Sequence, residues 1–400
     1  MIATFKACRL QGRVDAPPSK SMAHRYLLGA ALCGQRCTLE GIELSEDILA
    51  SIDCLRALGA KVNIDGETVS VDPQGFMSAQ TPVLECRESG STLRFFVPLA
   101  LCLGRPVTFH GSERLLSRPL DVYAQLCRER GFEFNNTGAA ITACGSLESG
   151  CFKVRGDISS QFITGFIFAL VYLGKESKIE ILPPFESRSY IDLTLCALRD
   201  FGADVSFTDE YTLCIKPSSL HGYSGRIEGD YSNAAFLDAF NYIGSDVCVD
   251  GLRPDSLQGD RVYREYFERI SGGTPTLDIS DCPDLGPILF ALAALKNGAT
   301  FTGTERLKAK ESDRGAAMNE ELARLGGGLV IGDNTITVPK QTLVYKGEML
   351  DGHNDHRIVM AMSVILSLTG GAIHGAEAVK KSYPSFFEDI MQLGAEVELK

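Results

Sequence analysis

The sequence predicts an α/β fold in which one plan recurs six times: an apolar helix, a Gly, a short strand, then a second helix ending in Gly before another strand. Three observations carry this expectation. Apolar helix cores begin near Arg25, Arg94, Phe162, Ala234, Pro287 and Arg357, spaced by 69, 68, 72, 53 and 70 residues. Second helices end at Leu58-Gly59, Arg130-Gly131, Phe201-Gly202, Ser271-Gly272, Leu325-Gly326 and Leu393-Gly394, where Gly supplies a left-handed cap. A period of this length marks a repeat architecture, not ordinary alternation of strand and helix.

In chain order the six cores read RYLLGAALCG, RFFVPLALCLG, FITGFIFALVYLG, AAFLDAFNYIG, PILFALAALKNG and RIVMAMSVILSLTGG. Segments such as Phe162 to Leu173 and Ile358 to Leu368 are apolar around most of their circumference, which places them inside a domain. Alternating strands, for example Glu67 to Asp72 and Thr335 to Pro339, must then form the outer layer. Buried parallel helices start at one end, so their N-termini converge into a surface that binds anions.

Six repeats divide into two groups of three. The stretches Ala16 to Ser19 and His221 to Gly225 are the hinge candidates. One domain then spans 17–224, and the other combines 1–16 with 225–400, joined by a two-strand hinge that opens and closes.

With 44% hydrophobic residues the 400-residue chain is rich enough for two cores, and its net charge of -12 argues against a coat for nucleic acid or anionic membrane. Basic clusters must therefore be local. The thirteen cysteines are scattered without CxxC pairs, which reads as small buried hydrophobes in a reducing cytosol. The opening MIATFKACRL lacks an apolar signal segment, and no apolar run is long enough to span a bilayer.

Polar clusters fall at the starts of the first helices. Ser19-Lys20-Ser21-Met22-Ala23-His24-Arg25 offers two cations and a hydroxyl at the helix start, suited to phosphate or carboxylate. Capping serines on a solvated helix are the plain alternative. Arg87-Glu88-Ser89-Gly90-Ser91-Thr92-Leu93-Arg94 is followed by Arg114 and by Arg118 before Pro119, which reads as a helix-starting proline. Gly90 lets backbone N–H groups approach a ligand, and Arg118 adds a bidentate fork. Ser159-Ser160-Gln161 precedes the third core, where a simple cap is an equal reading. The densest cluster, Lys308-Ala309-Lys310-Glu311-Ser312-Asp313-Arg314, follows Asp281-Cys282-Pro283-Asp284, and Asn354-Asp355-His356-Arg357 opens the sixth core. The fourth start, Tyr231-Ser232-Asn233, carries no charge cluster. His353 and His356 lack a third ligand of convincing spacing, so no metal is expected.

PSKSxxxR, ESGSTLRFF, SSQF, KESDR, NDHR and a terminal Lys-Ser-Tyr-Pro occur in order from Lys20 to Pro384. In these motifs the chain resembles the 5-enolpyruvylshikimate-3-phosphate synthases, and its repeat plan resembles their two-domain inside-out α/β barrel of six βαβαββ repeats, three per domain. That resemblance implies transfer of the enolpyruvyl group of phosphoenolpyruvate to the 5-hydroxyl of shikimate 3-phosphate in aromatic amino acid biosynthesis, with release of phosphate. It implies no cofactor, no metal, and a cytoplasmic monomer.

By motif match, shikimate 3-phosphate would meet Lys20, Ser21, Arg25, Ser159, Ser160, Gln161, Ser187, Tyr190, Asp284 and Lys310. Phosphoenolpyruvate would meet Lys20, Gly90, Arg118, Gln161, Arg314, Arg357 and Lys381. Asp284 would take the 5-hydroxyl proton, and Glu311 would deliver and remove a proton at the methylene carbon, with Lys20 and Lys381 as rival carriers. Asp355 and His356 would shape this half of the site. Because these residues come from both groups of repeats, catalysis should require domain closure, and an open form is expected without ligands. Glu88 and Arg306 add charge where the family pattern has Asn.

Two rivals share features. An enolpyruvyl transferase acting on a UDP-linked amino sugar favours a Lys-Asn pair at the first helix start and a Cys in the donor loop, where this chain has Lys20-Ser21 and Arg118. RNA 3'-phosphate cyclases share the repeat unit but need a nucleotide site. A catalytically inactive barrel-like binding protein would have no need to retain Asp284, Glu311, His356 and Lys381 together.

Overall fold

The computed structural model describes all 400 residues. They form two compact units: an N-terminal unit Pro18–Glu228, and a C-terminal unit of Met1–Pro17 with Gly229–Lys400.

In the N-terminal unit the helices are α1 (Lys20–Leu32), α2 (Glu46–Ala57), α3 (Gly90–Leu101), the single turn α4 (Glu113–Leu116), α5 (Asp121–Arg130), α6 (Ser160–Leu173) and α7 (Arg188–Asp200). The apolar helices α1, α3 and α6 lie in the core: Leu27, Leu28, Phe96, Val97, Phe162 and Phe168 are wholly buried. Each such side chain contributes roughly 1.5–3 kcal/mol relative to exposure. Three four-stranded sheets cover them, each with one parallel pair followed by two antiparallel neighbours. The first runs Ser224–Arg226, Cys37–Glu40, Thr68–Asp72, Lys61–Asp65. Period-two alternation turns Val69 and Val71 inward and Thr68, Ser70 and Asp72 outward.

In the C-terminal unit the helices are α8 (Tyr231–Tyr242), α9 (Tyr263–Gly272), α10 (Gly286–Leu295), α11 (Arg314–Arg324), α12 (His356–Thr369) and α13 (Phe386–Gln392). Here α8, α10 and α12 are the buried apolar helices. One sheet runs Thr276–Asp278, Gly298–Thr302, Thr335–Pro339, Val330–Ile331, and a second runs Leu350–Asp351, Gly371–His374, Ile2–Phe5, Val397–Leu399. Both repeat the parallel-then-antiparallel order.

The third sheet of this unit has only two strands, Gln11–Asp15 parallel to Asp246–Asp250. The 53-residue spacing in the sequence reflects this: no hairpin follows α9. Where the other sheets place an antiparallel strand, the Asn241 amide takes over, accepting from the Val247 N–H at 2.6 Å and donating to the Val247 C=O at 2.7 Å. A side chain thus saturates backbone groups that would otherwise lie open at a sheet edge.

The structure departs from the expectations of the sequence in several local ways. All six apolar helices start earlier than the apolar pattern, because Ser19, Ser89, Ser159, Asp230 and Asp355 cap α1, α3, α6, α8 and α12, and α10 follows a 3-10 turn, Pro283–Leu285. Ser19, not Ser21, is the cap of α1. Pro119 does not begin a helix, since Leu120 is the N-cap of α5. Gly59, Gly131, Gly202, Gly326 and Gly394 take the left-handed conformation, but Gly272 stays helical. Seven cysteines are buried, whereas Cys151 and Cys248 are exposed on short strands, so burial does not describe all thirteen. No helix is long and apolar enough to cross a membrane.

Candidate active site

In the C-terminal unit, hydrogen bonds draw together the segment before α10, the start of α11 and the start of α12. Arg314 is the hub, with its side chain 1% exposed. Its Nη1 donates to Asp284 at 2.8 Å, Nη2 to Glu311 at 2.7 Å and Nε to Asp355 at 2.9 Å. Asp284 also receives Lys310 Nζ at 3.1 Å and Arg357 Nη2 at 3.2 Å. Asp355, the cap of α12, accepts from the Arg357 N–H at 3.0 Å and the Ser312 hydroxyl at 3.0 Å. The buried His356 ring lies beside it, Nδ1 3.8 Å from Oδ1. Lys381, at the end of a 3-10 turn Ala376–Lys381, donates to the Asn354 carbonyl at 2.5 Å.

The electrostatics follow from this packing. Burial favours a neutral Asp284, but Arg357, Lys310 and Arg314 outweigh it and hold the carboxyl well below the usual range. Burial likewise opposes the Arg314 charge, yet Asp355, Glu311 and Asp284 raise its pKa. Lys310 goes the other way: burial, with Arg314 and Arg306 nearby, pushes it down to about 8 despite Asp284. Three cations here are matched by carboxylates, so an incoming anion competes with Asp284 and Glu311 for ready-made donors.

Some residues here have no signal in the sequence. Asp230 caps α8, and Ser232 accepts from Arg357 Nη1 at 2.5 Å, so the start of α8 joins the cluster although it holds no charge cluster of its own. Asp260, on the turn Gly259–Val262, is buried; burial and Asp284 push it up to about 8. Asp230 and Ser232 stand together at one helix start and Asp260 stands apart, and their place in the cluster comes only from partners brought by the fold. His353 and His356 do not converge: His353 Nε2 meets Glu321 at 2.7 Å, while His356 faces Asp355.

In the N-terminal unit, Lys20 at the start of α1 donates to Asp47 of α2 at 2.8 Å. Ser21 is the next residue of α1, and its carbonyl accepts from Arg25 Nη1 at 2.6 Å. Arg25 is buried, with Nε donating to Thr194 at 2.9 Å and Nη2 to the Tyr190 carbonyl at 2.8 Å. Ser187 precedes α7 in a left-handed conformation, φ 54°. Ser159 caps α6 and Ser160 is its first residue. Gln161 accepts from Arg94 at 2.7 Å and donates to Ser91 at 2.9 Å, joining α6 to α3. Gly90 opens α3 against the Arg118 guanidinium, whose buried Nε has no hydrogen-bond partner.

A polar ladder the sequence does not suggest ties α1, α2 and α3 together. His24 Nδ1 lies 2.8 Å from Ser51, Ser51 2.8 Å from Thr92, and Thr92 2.8 Å from the cap Ser89. Burial, Lys20 and Arg25 keep His24 neutral. The departures Glu88 and Arg306 sit partly exposed beside these clusters, with Arg306 donating to the Ser280 carbonyl at 3.5 Å.

A family profile described as EPSP synthase (3-phosphoshikimate 1-carboxyvinyltransferase) matches residues 6–390. A 3-phosphoshikimate 1-carboxyvinyltransferase of Clostridium kluyveri is 37% identical over 98% of this chain and 96% of its own length. One from Clostridium novyi is 37% identical over 97% of this chain and 96% of its own. Among solved structures, an EPSP synthase from Acinetobacter baumannii superposes with a TM-score of 0.79 at 21% identity, covering 99% of both chains. The enolpyruvyl transferase NikO from Streptomyces tendae superposes with 0.76 at 16% identity over 99% of this chain and 98% of its own. The mixed α/β fold is therefore one these proteins share.

Proposed function

The chain belongs to the EPSP synthase family, and from that premise we propose how its own residues perform the reaction. It is a 3-phosphoshikimate 1-carboxyvinyltransferase of aromatic amino acid biosynthesis, moving the enolpyruvyl group of phosphoenolpyruvate to the 5-hydroxyl of shikimate 3-phosphate and releasing phosphate. The observation that carries the assignment of residues is the cluster around Asp284: one buried carboxylate facing Lys310, Arg314 and Arg357.

We assign Ser21, Arg25, Ser159, Ser160, Gln161, Ser187, Tyr190 and Lys310 to shikimate 3-phosphate. Gly90, Arg118, Arg314, Arg357 and Lys381 are assigned to phosphoenolpyruvate, with Lys20 and Gln161 touching both substrates. In the unliganded protein Asp284 is held ionised by three cations and is a weak base. When shikimate 3-phosphate takes up Lys310 and phosphoenolpyruvate takes up Arg357, those cations no longer depress Asp284, and its basicity rises where the 5-hydroxyl must lose a proton. The substrate oxygen then bonds to C2 of the enol while a proton from Glu311 reaches the methylene carbon. Glu311 then takes a proton back from the methyl carbon as the C2–O bond to phosphate breaks, which regenerates the vinyl group, and the proton held by Asp284 leaves with phosphate. Once turned from these carboxylates to the substrate, the cations stabilise the leaving phosphate.

The finer fold reading is an inside-out α/β barrel of six βαβαββ repeats, three per domain, with domains 17–224 and 1–16 plus 225–400; against its letter, the repeat holding α8 and α9 lacks its final pair of strands, and Ser224–Arg226 pairs within the N-terminal unit. Buried apolar helices under five four-stranded sheets and one two-stranded sheet support it. The reading includes a monomer in the cytoplasm. Phosphate release from shikimate 3-phosphate and phosphoenolpyruvate tests the function. Release with a UDP-linked amino sugar instead would favour the rival transferase, and no release with either acceptor would favour the inactive binding protein.

A further inference from the structure

We propose that Glu321 of α11 is a positioning residue: through His353 it holds the turn that presents Asn354, Asp355 and Arg357, a role that rests on the site assignments above. Glu321 is wholly buried, and both of its oxygens are used on this turn. Oε1 meets His353 Nε2 at 2.7 Å, and Oε2 accepts from the Asp351 N–H at 2.9 Å.

The turn needs such an anchor. His353 and Asn354 are consecutive non-glycine residues in the left-handed region, φ 48° and 49°, a conformation L-residues keep only when their surroundings hold them. The backbone is tied at both ends, with Gly352 N–H donating to the His374 carbonyl and Asp355 N–H to the Gly352 carbonyl, each at 2.9 Å. His353 N–H donates to Asp351 Oδ1 at 2.7 Å. Directly after this turn come the groups of the site: the Asn354 carbonyl receives Lys381, and Asp355 holds Arg314 and caps the helix carrying Arg357. The same helix α11 begins at Arg314 and ends at Arg324, so Glu321 links one end of the cluster to the other along a rigid element.

Electrostatics agrees with this role. The hydrogen bond to Glu321 raises the His353 pKa, burial opposes it, and the charges of Glu321 and Glu320 on α11 and of Asp351 on its strand add to the rise. Arg324 of α11, 3.5 Å from Glu321 and 2.8 Å from Glu320, is the other cation facing this group. A buried carboxylate paired with an imidazolium is satisfied; without the imidazole its Oε1 loses its partner, and only Arg324 and the Asp351 N–H remain, both at Oε2.

The test is Glu321→Gln in the full chain, which keeps the side-chain volume and removes the charge. In the unaltered protein the His353 imidazole, followed by NMR, is expected to titrate above the ordinary 6.5, and in Glu321→Gln at or below it. The variant is expected to lose about tenfold in kcat, the size of a small displacement of catalytic groups, with KM for shikimate 3-phosphate within about twofold. His353→Gln keeps a donor for Glu321 and is expected to lose less than Glu321→Gln does. A folded Glu321→Gln protein with unaltered kcat overturns the proposal, as does a His353 midpoint at or below 6.5 in the unaltered protein. If Glu321→Gln does not fold, the His353 midpoint decides: above 6.5 it supports the anchor, at or below 6.5 it overturns it. Absence of turnover in the unaltered protein counts against the functional reading alone, because the midpoint still reports on the anchor.

Discussion

Gly90 lies directly against the guanidinium of Arg118: a Cβ added to Gly90 would come within 2.7 Å of Nη1 and 3.1 Å of Cζ. Arg118 is buried, and its position depends on the missing methyl group. The relationship pairs the first residue of α3 with a residue of the loop that follows α4, so a change at one is felt at the other.

Gly90→Ala is therefore expected to displace Arg118 while leaving the fold intact, because the clash falls on the end of a flexible side chain. KM for phosphoenolpyruvate should rise roughly tenfold, about 1.4 kcal/mol of binding. Affinity for shikimate 3-phosphate should change little. Steady-state kinetics with each substrate varied in turn separates the two.

Asp284→Ala removes the carboxylate shared by Lys310, Arg314 and Arg357. Turnover should fall at least ~100-fold, as for loss of a general base. Inorganic phosphate should bind more tightly than to the unaltered protein, since it no longer competes with Asp284. Calorimetric titration with phosphate, beside the phosphate-release assay, checks both outcomes; weaker phosphate binding would contradict the competition.

Lys310 has a folded pKa near 8 against an ordinary value of 10.5. Between these values the unfolded chain binds more protons, so stability should rise with pH across that window. Anion binding that needs the Lys310 cation should fall as pH passes about 8, giving kcat/KM an alkaline limb there. Lys310→Arg should carry that limb upward, because guanidinium stays charged. A limb that does not move in the variant assigns it to another group.

Asn241→Ala leaves the Val247 N–H and C=O without the amide that now saturates both. The cost is expected to be about 1–3 kcal/mol, read as a lower denaturant midpoint. The uncovered strand edge should also promote association at high concentration, detectable by light scattering.

Several features are legible in the amino-acid order because their causes are local. The apolar run from Phe162 to Leu173 must be buried wherever it goes, and a Gly after Arg130 or Leu325 can end a helix through its own φ. Capping by Ser19, Ser89 and Ser159 is equally local, though the apolar pattern alone puts the helix starts too late because it leaves the caps out. The short interval before Pro287 is visible as a number, yet its meaning, a sheet of two strands closed by Asn241, is not.

The sequence by itself determined the mixed α/β class, the burial of the apolar helix cores and the placement of polar clusters at helix starts. These follow from periodicity and from hydrogen bonds made within a few residues. Only the tertiary structure decided the partners: that Arg314 joins Asp284, Glu311 and Asp355, that Ser232 receives Arg357, and that Glu321 meets His353 rather than His353 meeting His356. Ion pairs and desolvation depend on distances between residues far apart in the chain, and packing alone sets those distances.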